Sequence, residues 1–248
     1  MKLCVPAVLA LATALATPAH AVVPVVFGTS WDGPTNSLQH IVDGLYGPGH
    51  ITVTTDYLGA KPGDPDPWFW FGDHFSAMLV REVAGNADNN ILGWYVEDGH
   101  KPVIDGVDDG VVFDGPASEG ASSMIVFNHP MTRFGFYLNP NGHGDAINAP
   151  EPEMFFTNRF YNDLGPNGVA IHAPFDGDVQ ALVFDISQWT HPNTWLVCFE
   201  DLDSGANPGP CCYPTDNDFN DLVFEVTAFG ATPTVPLTMG ALKTKYLH

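Results

Sequence analysis

Positive charge is what this sequence has least of. Eight Lys and Arg stand against 29 Asp and Glu in 248 residues, a formal net charge of −21. That shortage argues against nucleic acid as a partner, because such binding depends on cationic side chains that neutralise phosphates. A chain this acidic uses its charge for solubility or to hold cations. Cysteine is also scarce, with four in all. Long apolar runs are missing beyond the first 21 residues, so no transmembrane segment is expected in the rest of the chain. Near the C-terminus "PLTMGAL" is far too short to span a bilayer.

The one apolar run lies in "MKLCVPAVLALATALATPAHA". A charged start, a short apolar stretch and the small-x-small site Ala19-His20-Ala21 read as a signal peptide over residues 1–21. The chain from Val22 is then expected outside the cytoplasm, whether extracellular, at the cell surface or periplasmic. Cys4 would leave with the signal. Cys198, Cys211 and Cys212 would remain. An oxidising compartment allows one disulfide from Cys198 to Cys211 or Cys212, with the third thiol free or intermolecular. No Cys-x-x-Cys pair is present, which disfavours a tetrahedral zinc site.

Catalytic signatures are absent too. Ten histidines are present, but no His-Glu-x-x-His accompanies them. No Gly-x-Ser-x-Gly elbow and no phosphate-binding loop occurs. A non-catalytic protein is expected. A glycosidase needs only two carboxylates at suitable spacing in three dimensions, so a secreted glycoside hydrolase stays as a lesser alternative.

What the chain does have is punctuation, with 25 Gly and 22 Pro between short apolar runs. That pattern predicts an all-β fold, a sandwich or jelly roll of antiparallel sheets. Strand-like stretches fall at 50–57, 75–84, 91–96, 122–127, 133–138, 154–160, 179–186, 194–200 and 221–229. One helix is predicted over about 36–46. There Leu38, Ile41, Val42 and Leu45 share a face, Asn36 or Ser37 caps the start, and Gly44 or Gly47 ends it. A single domain over 22–230 and a flexible tail over 231–248 complete the reading.

The stretch that carries chemistry is "TDNDFNDLVFEV" (215–226). Asp216, Asp218 and Asn220 alternate, and Asp221 follows. Oxygen side chains at alternate positions of a tight loop can converge on one hard cation. An EF-hand is disfavoured, because Asp221 stands where its Gly belongs, Thr227 where its bidentate Glu belongs, and a strand follows instead of a helix. "CFEDLD" (198–203) puts Glu200, Asp201 and Asp203 at the end of the preceding strand. Antiparallel pairing of 194–200 with 221–229 would bring Glu200 and Asp201 beside Asp216–Asp221. Calcium, with its six to eight oxygens, suits such a cluster better than magnesium. The other reading is a solvated acidic turn whose side chains cap backbone groups.

A second candidate is "DPWFWFGDHF" (66–75). Exposed Trp68 and Trp70 would form a sugar-stacking surface and make the protein a carbohydrate-binding module. An alternating core strand is the other reading of the same residues.

"CFEDLD…TDNDFNDLVFEV" resembles the C-terminal signature of the bacterial secreted domain-of-unknown-function family 4114. "NADNNILGWY" (86–95) is similar to a second element, with Leu92 where Phe is usual, and "SLQHIVDGLYG" and "RFGFYL" resemble further stretches. The resemblance implies a secreted or surface-attached β-sandwich with a calcium-type site at Glu200, Asp201, Asp216, Asp218, Asn220 and Asp221. Such domains occur in PEP-CTERM or adhesin-like proteins, so a glycan, matrix or cell-surface partner is expected. Cys211-Cys212 departs from the pattern. So does Val235-Pro236-Leu237, where a PEP-CTERM tail carries Glu. The whole reading is a secreted, calcium-binding, structural or adhesive module.

Overall fold

The structure, a computed structural model, describes residues 23, 25–64, 68–84, 87–140, 154–162, 178–202 and 215–230. The expected signal peptide, Asp203, Cys211, Cys212 and the 231–248 tail lie outside them. The elements in chain order are helices α1 (Leu38–Tyr46) and α2 (Val53–Asp56), then strands β1 (Trp70–Gly72) and β2 (His74–Glu82). A 3-10 turn at Ala87–Asn89 leads into β3 (Ile91–Val96), β4 (Asp109–Phe113), β5 (Ser122–Val126), β6 (Thr132–Asn139) and β7 (Phe155–Phe156). Helix α3 (Arg159–Asn162), β8 (Ala181–Asp185), β9 (Thr194–Phe199) and β10 (Leu222–Phe229) complete the order.

The strands make two five-stranded antiparallel sheets, as the sequence predicted. One runs β1-β6-β3-β4, with β7 sharing β6's edge beside β1; the other runs β5-β2-β10-β9-β8. Alternate residues explain the layers, since successive side chains of a strand point to opposite faces. Phe75 and Leu79 of β2, Phe134 and Phe136 of β6, Val197 and Phe199 of β9, and Leu222 and Phe224 of β10 meet between the sheets. The opposite residues of the second sheet, Leu182, Phe184, Leu196, Cys198 and Val223, face a second apolar layer under α1, Ile51, Val53 and Tyr57. Strand β9 is therefore buried at every residue, which is why "TWLVCF" reads as a continuous apolar run. A third, smaller cluster, with Tyr95, Tyr137, Phe156 and Tyr161, backs the first sheet.

Helix α1 starts as expected. The Ser37 hydroxyl accepts from His40 N at 3.3 Å, and Gly47 ends the helix at φ 97°. Replacing Ser37 with Ala should cost about 1 kcal/mol, measurable as a lowered urea midpoint with unchanged m-value. Leu38 and Val42 are buried, whereas Leu45 is 43% exposed. No helix among the described residues is long and apolar enough to cross a membrane.

Two local expectations are corrected. Residues 50–57 alternate but form no strand. Gln39 Oε1 accepts from Val53 N at 3.0 Å and Asp56 Oδ2 from Thr52 N at 2.8 Å, so side chains cap a short helix there. Residues 154–160 pair only at Phe155–Phe156; the Asn158 side chain then accepts from Phe160 N and turns the chain into α3. The expected pairing partners Cys211 and Cys212 lie outside the described residues, which hold Cys198 alone. The Cys198 thiol is fully buried in the layer beneath α1, and burial pushes its pKa up.

Candidate metal centre

Leu222, the first residue of β10, lies opposite Phe199, the last of β9. The acids leaving β9 therefore meet those entering β10, as the spacing predicted. The approach to β10 is strained. Asn217 and Phe219 adopt φ 51° and 56°, a left-handed conformation that is costly for a bulky residue such as Phe. Their alternation with Asp218 turns successive backbone N–H groups the same way, a concavity that suits an anion. Glu200 fills it. Its Oε2 accepts from Asp218 N and Phe219 N, both at 3.2 Å, and its Oε1 from the Thr215 hydroxyl at 2.6 Å. Phe219 is held down by burial against Phe27, ring to ring at 6.0 Å.

Around this clamp the acids crowd. One carboxylate oxygen each from Glu200, Asp201 and Asp221 lie within 4.8 Å of one another, and so do oxygens of Glu200, Asp216 and Asp218. Asp221 Oδ2 accepts from Asp201 N at 2.7 Å, and Asp218 Oδ1 from Asn220 N at 3.2 Å. The Asn220 amide donates to Asn36 O at 2.6 Å and Ser30 Oγ at 3.2 Å. Both donors of that amide are thereby used, which fixes its orientation and turns its oxygen inward.

That inward oxygen has no partner. Asp218 Oδ2, Asn220 Oδ1, Asn217 Oδ1 and Asn90 Oδ1 are all buried without a hydrogen bond. Every one of these is an acceptor. No Lys or Arg pairs with the cluster among the described residues. Burial lifts Glu200 to about 7, with Asp216 adding to the effect against the bonds from Thr215 and Phe219. Burial, then the charges of Asp216 and Asp32, lift Asp218 to about 6 against the Ser30 hydroxyl. Asp201 is raised by burial and by Asp216, and Asp221 strongly by burial and by Glu200 and Asp201. Glu82 is drawn in as well, raised to about 7 by burial and by Asp201 and Asp88, while the Asn90 amide donates to it at 3.2 Å. The arrangement is rich in oxygen acceptors and poor in donors, which is what a hard cation coordinates.

All six residues singled out in the sequence converge here. Sequence reasoning missed Ser30, Asp32 and Asn36, which arrive from nearly 200 residues away, and Asn90 and Glu82 beside Asp201. The other candidate does not assemble. Trp70 is buried in the sandwich core at 2% exposure, so its indole is no sugar platform. Trp68 is half-buried, with its ring 4.9 Å from that of Phe160. An open groove of about 320 Å³ runs between α1 and β2, but Thr35, His40, Ile41, Gly44, Leu45, Val80 and Arg81 line it without a carboxylate. No family model matches the chain, and no curated protein or solved structure matches it either.

Proposed function

We propose that the protein is a non-catalytic, calcium-binding module that works outside the cytoplasm, with a structural or adhesive role. One observation carries this reading: Asp218 Oδ2 and Asn220 Oδ1 are buried and unpartnered inside a cluster of carboxylates. Buried polar atoms are otherwise bonded, and carboxylates held this close repel unless a proton or a cation intervenes. The oxygen-only donor set of carboxylates and amide carbonyls favours calcium, whose six to eight ligands tolerate irregular geometry, over magnesium with its strict octahedron. The reading includes membership of the secreted domain-of-unknown-function family 4114, supported by "CFEDLD…TDNDFNDLVFEV". A glycan, matrix or surface protein is the partner class this implies.

Thermal unfolding in chelator, in calcium and in magnesium tests it. At about 1 mM calcium and a dissociation constant near 10⁻⁴ M, binding adds about 1.4 kcal/mol. That raises Tm by roughly 3–6 °C for a chain of this size. Asp218→Asn, which keeps the shape and removes the charge, should abolish the calcium response. Equal small shifts with calcium and magnesium, or an unchanged response in Asp218→Asn, would refute the assignment.

A further inference from the structure

The N-terminal strap of residues 25–36 lies directly across the acidic loop. Gly28 N donates to Asn217 O at 3.0 Å, and Trp31 N donates to Asp216 Oδ2 at 2.7 Å. The Asn220 amide reaches back to Ser30 and Asn36 of the strap. Contact is so close at Gly28 that a Cβ there would stand 1.7 Å from Asp216 O. Beneath the strap, the Phe27 ring lies 6.0 Å from Phe219 and 5.9 Å from Tyr57, closing the second apolar layer.

Asp32 sits in the middle of these ties. Its backbone N–H donates to Ser30 Oγ at 3.2 Å, the same hydroxyl that Asn220 uses. Its own carboxylate has no donor and no ion pair among the described residues, and it is exposed. Its charge is felt by both Asp201 and Asp218. Through Ser30 Oγ, which accepts from both Asp32 N and the Asn220 amide, the strap carries an exposed carboxylate beside a loop whose buried acceptors, Asp218 Oδ2 and Asn220 Oδ1, lack partners.

We propose that Asp32 is a further ligand of the cation site, and that the bound ion clasps the strap to the loop and so controls exposure of the apolar layer beneath. This rests on the calcium reading of the loop. With the ion in place, Asp32 and Asp218 are drawn to one charge. Without it they repel, and the strap is kept down by its hydrogen bonds, that of Trp31 N to the Asp216 carboxylate among them, and by the Phe27 contacts.

Hydrogen exchange of the full-length protein, with calorimetric titration of calcium alone, tests the clasp. In wild type, calcium should slow exchange in the 25–36 peptides about tenfold or more and reduce binding of an apolar dye. Asp32→Asn should invert its effect between conditions. In chelator its strap is better protected than wild type, since one repelling charge has gone; in calcium its affinity falls about tenfold, as ligand charge tunes such sites. Gly28→Ala alters no ligand, yet it should lift the strap and weaken calcium binding. Calcium binding with strap exchange unchanged, or unchanged affinity in Asp32→Asn, would overturn the clasp and leave the cation site standing. No calcium binding in wild type would overturn both.

Discussion

Stripped of divalent cations, the protein unfolds at a lower temperature at about pH 8 than at about pH 5, and calcium removes most of that difference. Glu200 rises from 4.5 to about 7 and Asp218 from 3.8 to about 6 on folding, and Asp201 and Asp221 rise too. A carboxylate with a raised folded pKa keeps a proton in the fold that the unfolded chain has already released. Its contribution to stability is full below the unfolded value near 4 and is lost as pH climbs through the folded value. For Glu200 alone the loss by neutral pH is on the order of 3 kcal/mol. On the calcium reading the ion takes the place of those protons, so its stabilising effect should be small near pH 5 and grow through pH 6–8. General repulsion at a net charge of −21 also grows with pH, but magnesium and salt screen that. The specific part is the calcium shift minus the magnesium shift. If that difference were flat across pH 5–8, the buried carboxylates would not be the ion's ligands.

Local pattern was enough for most of the architecture. Strands β3, β5, β6, β8, β9 and β10 lie where alternating or continuous apolar runs placed them. Strand β4 was hidden because Asp109 and Gly110 belong to an Asp/Gly-rich turn, leaving only Val111–Phe113 as apolar signal. The 50–57 segment shows the opposite error. Its alternation is real and buries Ile51, Val53 and Tyr57 in the layer shared by α1 and the second sheet, but the chain there turns into the short helix α2, and Gln39 and Asp56 supply the caps that a strand partner would have supplied. Trp70 shows how one pattern serves two readings: "WFWFG" alternates equally well as a sugar platform or as a core strand, and only β6 beside it decides.

The site was half legible for a similar reason. Asp216, Asp218, Asn220 and Asp221 are neighbours in sequence, and the hairpin-like pairing of β9 with β10 brings Glu200 and Asp201 to them. The role of Glu200 was not legible. Its two backbone hydrogen bonds lie at the left-handed turns of Asn217 and Phe219; Asn is tolerated in that conformation, but nothing in Phe219 announces it. Nor were Ser30, Asp32 and Asn36, because nothing local to a strap of Ser, Gly and Asp shows that it will cross a loop near the other end of the chain.

Replacing Glu97 with Ala should cost about 3–5 kcal/mol and lower Tm by about 10 °C, equally in chelator and in calcium. Glu97 is a second buried acid, yet its surroundings are the reverse of the loop's. Its Oε1 accepts from Tyr161 Oη at 2.6 Å and Gly99 N at 2.8 Å; its Oε2 accepts from Asn158 Nδ2 at 3.1 Å and Tyr95 Oη at 3.4 Å. Arg133 approaches to 3.7 Å. Donors and a cation already answer this carboxylate, and it anchors the end of β3 to α3. Its removal leaves those donors buried and unmatched, which is where the cost arises. At Asp218 the deficit is of donors, and on the proposed reading an ion supplies what the protein does not. The two acids therefore separate the two uses of buried charge. Glu97→Ala should change stability without changing the calcium response, and Asp218→Asn should change the calcium response. A calcium shift altered in Glu97→Ala would mean the two centres are coupled, and the loop could no longer be treated as a self-contained site.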